Sequence, residues 1–263
     1  MFTVVPDYYK DFHCIAGKCR HTCCKGWEID IDSDSLIRFQ HDGIGHISEK
    51  GDPHFILDSE ERCPFLNREN LCDLIIEHGE GYLCQICRDH PRFRSFWETG
   101  EEIGLGICCE AAAELVLNRD NPMGLLYSDS ETGLSVTAQT FSESLPEDEA
   151  ELFMFRNDLL SKAVSLPNPI KRFREYLLFR HVPNALYDDR LKERVAFVEE
   201  TTNIMLKRWQ EDTNRTVAAL CAMVRDFSEN VEYDDEALDE ILDASERERR
   251  EMINGYIKSF NQS

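Results

Sequence analysis

The 263-residue sequence predicts a mainly α fold: an irregular cysteine-rich N-terminal module with a small β-hairpin, followed by a helical C-terminal part. Three observations carry this expectation. Ten of the eleven cysteines precede residue 110, together with seven of the eight histidines and several Gly and Pro residues between short apolar runs. Apolar positions on either side of Glu98-Thr99-Gly100-Glu101 suit two strands around a turn. From Glu110 onward apolar residues recur every three or four positions, the period of a helix with one buried stripe. The expected units are residues 1–118 for the cysteine-rich module and 146–263 for the helical region.

Along the chain, Ser33 to His41 reads as a helix with Asp32 or Ser33 as its cap and Gly43 as its stop. Asp73 to His78 reads as a short helix closed by Gly79. Phe93, Phe96, Trp97, Ile103, Leu105 and Ile107 supply the hairpin, which returns the chain to Cys108. Helices are then expected over Ala111 to Leu117, Pro146 to Val164, Ile170 to His181, Tyr187 to Trp209 and Asp234 to Phe260. Leu191, Val195, Val198, Thr202, Met205 and Trp209 form a stripe suited to core packing. Gly124 to Leu145, rich in Ser and Thr, reads as a loop or linker, while Pro167-Asn168-Pro169 and Pro183 mark helix ends. The acidic run from Glu229 to Glu240 reads as a solvated helix start.

At roughly 100 to 200 residues per domain, this length admits one large domain or two modest ones, with core enough to fold without a metal or disulfide. The balance of 29 Lys+Arg against 51 Asp+Glu, a formal charge of -22, argues against a nucleic-acid partner and an anionic membrane surface. Mean hydropathy is -0.45, and no apolar run approaches the roughly 20 residues of a membrane-spanning helix. Met1 to Asp7 lacks the basic start and apolar stretch of a signal peptide, so a cytoplasmic location is expected.

In that reducing setting closely spaced cysteines more often bind metal than form disulfides. The runs are Cys14-x4-Cys19-x3-Cys23-Cys24, Cys63-Pro64-Phe65-Leu66, Cys72, Cys84-x2-Cys87-Arg88-x2-Pro91 and Cys108-Cys109. Zinc takes four ligands in a tetrahedron, and an iron–sulfur cubane also takes four thiolates. Common zinc-finger, ferredoxin and radical spacings do not fit, Gly26 standing where the last of these needs cysteine. Metal identity therefore stays open between zinc and a cluster. A disulfide framework and unliganded buried thiols are the remaining readings. Cys221, alone on a helical stripe, reads as a packed small apolar side chain.

Phe12-His13-Cys14-Ile15-Ala16-Gly17-Lys18-Cys19-Arg20-His21-Thr22-Cys23-Cys24-Lys25-Gly26-Trp27, with Cys63-Pro64-Phe65-Leu66 and Leu71-Cys72, resembles the flagellin lysine-N-methylase family. Cys87-Arg88-x2-Pro91-Arg92 and Cys108-x-Glu110-Ala111-Ala112 follow in the family's order, and Tyr176-Leu177-Leu178-Phe179-Arg180 resembles a helical segment of its C-terminal part. Part of the pattern is shared with zinc- or iron-chelating cysteine-cluster proteins. The resemblance implies an iron–sulfur cluster, 4Fe-4S in type with zinc as the alternative, and S-adenosylmethionine as methyl donor. It also implies a protein lysine N-methyltransferase whose partner is flagellin. Carried over by position, the implied metal ligands are Cys14, Cys19, Cys23, Cys24, Cys63, Cys72, Cys87 and Cys108. Cys84 and Cys109 stand where the family usually has other residues, so Cys14→Ser is expected to lose metal and Cys84→Ser to keep it. The chain is shorter than typical members, with the segment from Glu149 to Val164 abbreviated.

Methyl transfer to lysine needs a neutral amine, since the ammonium, with a pKa of about 10.4, has no lone pair. A base or a desolvating pocket must supply that neutrality. Gly104-Leu105-Gly106 is too short for a nucleotide-binding turn and leads into cysteines, which argues against a Rossmann-type methyltransferase. Arg88 and Arg92 are the candidates for clamping the donor's carboxylate, against a role in neutralising the thiolates. Trp27 suits shielding of the site. His13, His21 and His90 are alternative ligands or hydrogen-bonding residues, and Asp89, Glu110 and Tyr82 are possible bases. Two other classes stand beside the enzyme reading: a non-catalytic metal-binding interaction module, and a redox or iron-handling protein.

Overall fold

A computed structural model describes residues 1–48, 50–213 and 215–258. The chain divides into two compact units, one of His13–His90 and one of Met1–Phe12 with Pro91–Ser263. The expected module of residues 1–118 is thus distributed over both. Its first twelve residues join the second unit because strand β1 (Phe2–Pro6) pairs there.

The His13–His90 unit is short of regular structure, as its Gly, Pro and Cys content leads one to expect. It holds α1 (Ser33–Asp42), the two-residue strands β2 (Ile47–Ser48) and β3 (His54–Phe55), α2 (Asp73–His78) and α3 (Gln85–Asp89). Asp32 caps α1 by accepting from the Ser35 amide at 3.0 Å, and Gly43 ends it in the left-handed region at φ 73°. Ile29, Ile31, Phe39, Phe55, Leu74 and Leu83 form a small core, and Cys63 and Cys84 are buried in it.

In the second unit β4 (Arg92–Trp97) and β5 (Gly100–Leu105) form the expected hairpin, continued by α4 (Glu110–Leu117), β6 (Leu125–Asp129), β7 (Ser135–Val136) and α5 (Ala138–Ser144). The hairpin is the edge of a five-stranded sheet in the order β4-β5-β1-β6-β7, with β1 parallel to β5 and antiparallel to β6. Close passage of β1 over β5 requires Gly100, where a Cβ would stand 2.4 Å from the Phe2 carbonyl oxygen. The expected linker from Gly124 to Leu145 is corrected by β6, β7 and α5. Its Ser- and Thr-rich sequence conceals Leu125, Tyr127 and Phe141, which pack into the core.

The helices that follow are α6 (Glu147–Ser161), α7 (Asn168–His181), α8 (Ala185–Asp188), α9 (Leu191–Glu211), α10 (Val217–Phe227), α11 (Asp235–Asp243) and α12 (Glu246–Lys258). The fold is mainly α. Helix α7 is buried around nearly its whole circumference, from Ile170 to His181. The expected helix from Tyr187 begins later because Asp189 takes φ 56°. The single helix expected from Asp234 to Phe260 is two helices, since Glu248 accepts from the Ser245 amide and hydroxyl and starts a new one. The last two residues of that span lie outside the described residues.

Candidate functional site

The chemistry-bearing feature of the His13–His90 unit is a group of five thiols, Cys24, Cys63, Cys72, Cys84 and Cys87, which perturb one another electrostatically. Backbone pairing assembles the first two. The Cys63 amide donates to the Cys24 carbonyl at 2.8 Å, beside an antiparallel bridge between Lys25 and Arg62. Cys72 reaches the group through a knuckle. The Leu66 amide donates to the Cys63 carbonyl at 3.0 Å, and Asn67 accepts from the Glu69 and Leu71 amides at 2.9 and 3.0 Å. Cys72 and Cys84 directly precede α2 and α3, and Cys87 lies within α3.

One carboxylate sets the position of this last pair. Asp32 Oδ1 caps α1, while its Oδ2 accepts from the Gln85 amide at 2.7 Å. Desolvation pushes the Asp32 pKa up, but the hydrogen bonds from Gln85 and Ser35 outweigh it and hold the carboxyl below its ordinary range. Asp32→Ala removes two amide acceptors, and each charged hydrogen bond lost weighs about 1 to 2 kcal/mol. The expected outcome is a loss of about 2 kcal/mol in urea unfolding of this unit, and faster alkylation of Cys84 and Cys87 in native buffer. Unchanged thiol reactivity would show that Asp32 does not position the pair.

The thiols differ in character. A hydrogen bond from Cys23 draws the Cys24 pKa down to about 7 against the effect of burial, with Thr22 and Arg62 assisting. Burial pushes Cys63 up to about 12 and also raises Cys72. Cys87 donates to Cys84, which lowers Cys84 and raises Cys87. Such a gradient places negative charge on Cys24 and Cys84 first, the form in which a thiol binds metal.

Cys23 lies beside the group, its side chain hydrogen-bonding Cys24; the other sequence-derived candidates have the following surroundings. Cys14 is exposed, its sulfur accepting from the Ala16 amide at 3.4 Å, and Cys19 donates to the His21 carbonyl at 3.1 Å. Cys108 belongs to the second unit, where burial raises its pKa to about 12 against the opposing influence of Arg180 and Tyr233. Cys221 is buried in the apolar core of that unit. Arg88 lies in α3 of the first unit and Arg92 in β4 of the second, where its Nε donates to the Tyr9 hydroxyl at 2.8 Å and its guanidinium stands over the Tyr9 and Phe12 rings. Trp27 donates its indole N–H to the Cys23 carbonyl at 2.7 Å and stacks on His90 at 6.4 Å between centroids. Tyr82 donates to Asp42 at 2.8 Å, and Glu110 is buried in the first turn of α4.

Cys84, which motif position leaves out of the implied ligands, is buried with Cys63 in the core of this unit and hydrogen-bonded to Cys87. Its Cys-x2-Cys spacing to Cys87 falls at the start of α3. Thiolate sulfur is the donor type that thiophilic metals and clusters take, but among the described residues no group of three or more His, Cys, Asp or Glu side chains is arranged to hold a metal ion. Nor, among those residues, is any helix long and apolar enough to cross a membrane.

Comparison with known proteins bears out the resemblance drawn from the cysteine motifs. The chain is 24% identical over 176 residues to proteins named Lysine-N-methylase from Salmonella choleraesuis (strain SC-B67) and Salmonella typhimurium (strain LT2). The aligned part is 61% of this chain and 42% of each relative. It is also 22% identical over 153 residues to the Flagellar biosynthetic protein FliU of Salmonella muenchen, covering 53% of this chain and 90% of that protein. The chain therefore spans less than half the length of the two lysine-N-methylases it matches. No family model matches, and no solved structure does.

Proposed function

We propose that this chain belongs to a lysine N-methyltransferase that moves the methyl group of S-adenosylmethionine to lysines of flagellin. We further propose that its first unit holds a thiolate-bound centre, an iron–sulfur cluster of the 4Fe-4S type with zinc as the alternative. The observation that carries the reading is the grouping of Cys24, Cys63, Cys72, Cys84 and Cys87 in a chain whose relatives are named lysine-N-methylases.

Four of these five sulfurs satisfy one cubane or one zinc ion. Held by four of them, a cluster would cross-link the unit; held by only three, it would offer an iron able to take the amino and carboxylate groups of the donor. The chain's own side chains have the remaining tasks. Cys24 and Cys84 lose protons most readily, Asp32 fixes the start of α3, and Arg88 in that helix balances thiolate charge or takes the donor's carboxylate. Because the donor's sulfonium already makes its methyl electrophilic, rate depends on alignment and on a neutral lysine amine.

The first test is anaerobic purification with iron, sulfide and zinc analysis, followed by transfer of labelled methyl from S-adenosylmethionine to flagellin. Iron and sulfide near a 4Fe-4S stoichiometry are expected; zinc without sulfide removes the cluster. In parallel, Cys63→Ser and Cys84→Ser are expected to lose most of the bound metal, while Cys109→Ser and Cys221→Ser keep it. Retention by Cys84→Ser would restore the ligand set implied by motif position. A loaded protein that labels no cognate flagellin would favour the metal-binding interaction module, a reading consistent with the limited span of the match.

A further inference from the structure

Within the His13–His90 unit lies a cleft of about 440 Å³ whose lining includes Trp27, Glu28, His54, Ile56, Leu57 and Glu61. Its walls are the paired segments around Ile29 and Phe55, joined by the Phe55 amide donating to the Ile29 carbonyl at 3.1 Å, and the Gly26 amide donating to the Glu61 carbonyl at 2.9 Å. Ile56 is 51% exposed there, so an apolar wall meets water. Both carboxylates are exposed, and Glu28 lies 3.6 Å from His54 Nε2. Glu61 takes φ 59°, a backbone state that a glycine adopts at lower cost. The nearby cations Lys25 and Arg62 are not among the lining residues; both lower the Asp58 carboxyl, and Arg62 also lowers Cys24.

We infer that this cleft is a docking subsite for a lysine side chain of the protein substrate, distinct from the lysine that is methylated; this rests on the reading that the substrate is a lysine-bearing protein. The four-carbon stem suits Ile56 and Leu57, the aromatic ring of Trp27 suits a cation, and the ammonium is flanked by Glu28 and Glu61. Those carboxylates favour the charged amine. Methyl transfer needs the neutral one, so the cleft holds a neighbouring lysine and orients the substrate surface.

The test uses the full chain labelled with 5-fluorotryptophan, Trp27→Phe identifying the Trp27 resonance. The probes are acetyl-Gly-Lys-Gly-amide and its norleucine counterpart, which keeps the stem and lacks the charge. The lysine peptide is expected to shift the Trp27 resonance saturably and the norleucine peptide to leave it in place. The double variant Glu28→Gln with Glu61→Gln should weaken binding about fivefold, the sum of two exposed ion pairs. Equal shifts from both peptides, no saturable shift, or unchanged affinity in the double variant overturns the subsite. Neither probe requires methyl transfer, so the wild-type labelling assay decides the enzyme reading separately. Peptide binding without flagellin labelling leaves the cleft as a lysine site and removes the methyltransferase. Labelling with KM unchanged in the double variant removes the cleft alone.

Discussion

Arg156→Ala is expected to destabilise the second unit by about 3 to 5 kcal/mol, the range for stranding one member of a buried ion pair. Arg156 on α6 and Glu102 on β5 are 0% and 1% exposed at their side chains. Two parallel hydrogen bonds of 2.5 and 2.8 Å join them, the forked geometry that an arginine forms with a carboxylate. The guanidinium also stands 5.3 Å from the Phe153 ring centroid and 5.4 Å from that of Phe179. Alanine removes the fork and the packing together, and leaves the Glu102 carboxylate away from water without a counter-charge. Arg156→Lys restores the charge and loses the fork, so an intermediate cost is expected. Arg156→Met with Glu102→Leu removes both charges and should recover much of the loss. Urea unfolding followed through Trp97, which packs on Phe153 at 6.0 Å, reports on the correct unit. A cost below about 1 kcal/mol, the level of an exposed pair, would refute the buried-pair argument.

This pair also illustrates what local sequence can and cannot reveal. Helices α1 and α2 are legible because their signals are local: Asp32 precedes the first, and Gly43 and Gly79 terminate them. The β4–β5 hairpin is legible for the same reason. By contrast, β1 acquires its role from partners about a hundred residues away, with Phe2 opposite Gly100 on one side and Asp129 on the other. Five residues without a turn signal give no hint of a central strand. Helix α10 has no counterpart among the helices expected from the sequence, although Cys221, which reads as lying on a helical stripe, sits in it. The thiols follow the same division. Their spacing leads one to expect metal ligands, but Cys84 enters the group through the neighbouring Gln85 amide, which donates to the Asp32 carboxylate 53 residues away. Cys108, despite belonging to the motif series, falls in the other unit because the hairpin before it joins the sheet.

Glu232→Gln is expected to lower stability at neutral pH by about 3 kcal/mol and to flatten its dependence on acid. Glu232 closes a single π-helical turn, Ser228–Glu232, that follows α10 and carries its side chain into the interior. There Oε1 accepts from His181 Nε2 at 2.7 Å and Oε2 from the Tyr176 hydroxyl at 2.9 Å. Arg180 donates to the Glu232 carbonyl at 2.8 Å and to the Tyr176 hydroxyl at 2.9 Å, with its Nε 3.4 Å from Oε1. Burial raises the Glu232 pKa, but the Arg180 charge and the His181 hydrogen bond overcome it and bring the value down to about 2. His181 is lowered chiefly by burial, with Arg180 and Arg194 adding to the effect and Glu232 opposing it. Both groups act in one direction. As pH falls below about 6.5 the unfolded chain takes up the His181 proton first, and below about 4.5 it takes up the Glu232 proton first. The stability that Glu232 contributes is complete above about 4.5 and is lost as pH falls towards 2. In Glu232→Gln that carboxylate part disappears while the His181 part persists, so the variant and the wild type should converge on acidification. Urea midpoints at pH 7, 5 and 3.5, measured for both proteins, decide the matter: parallel curves would mean that the depressed carboxyl does not stabilise this fold.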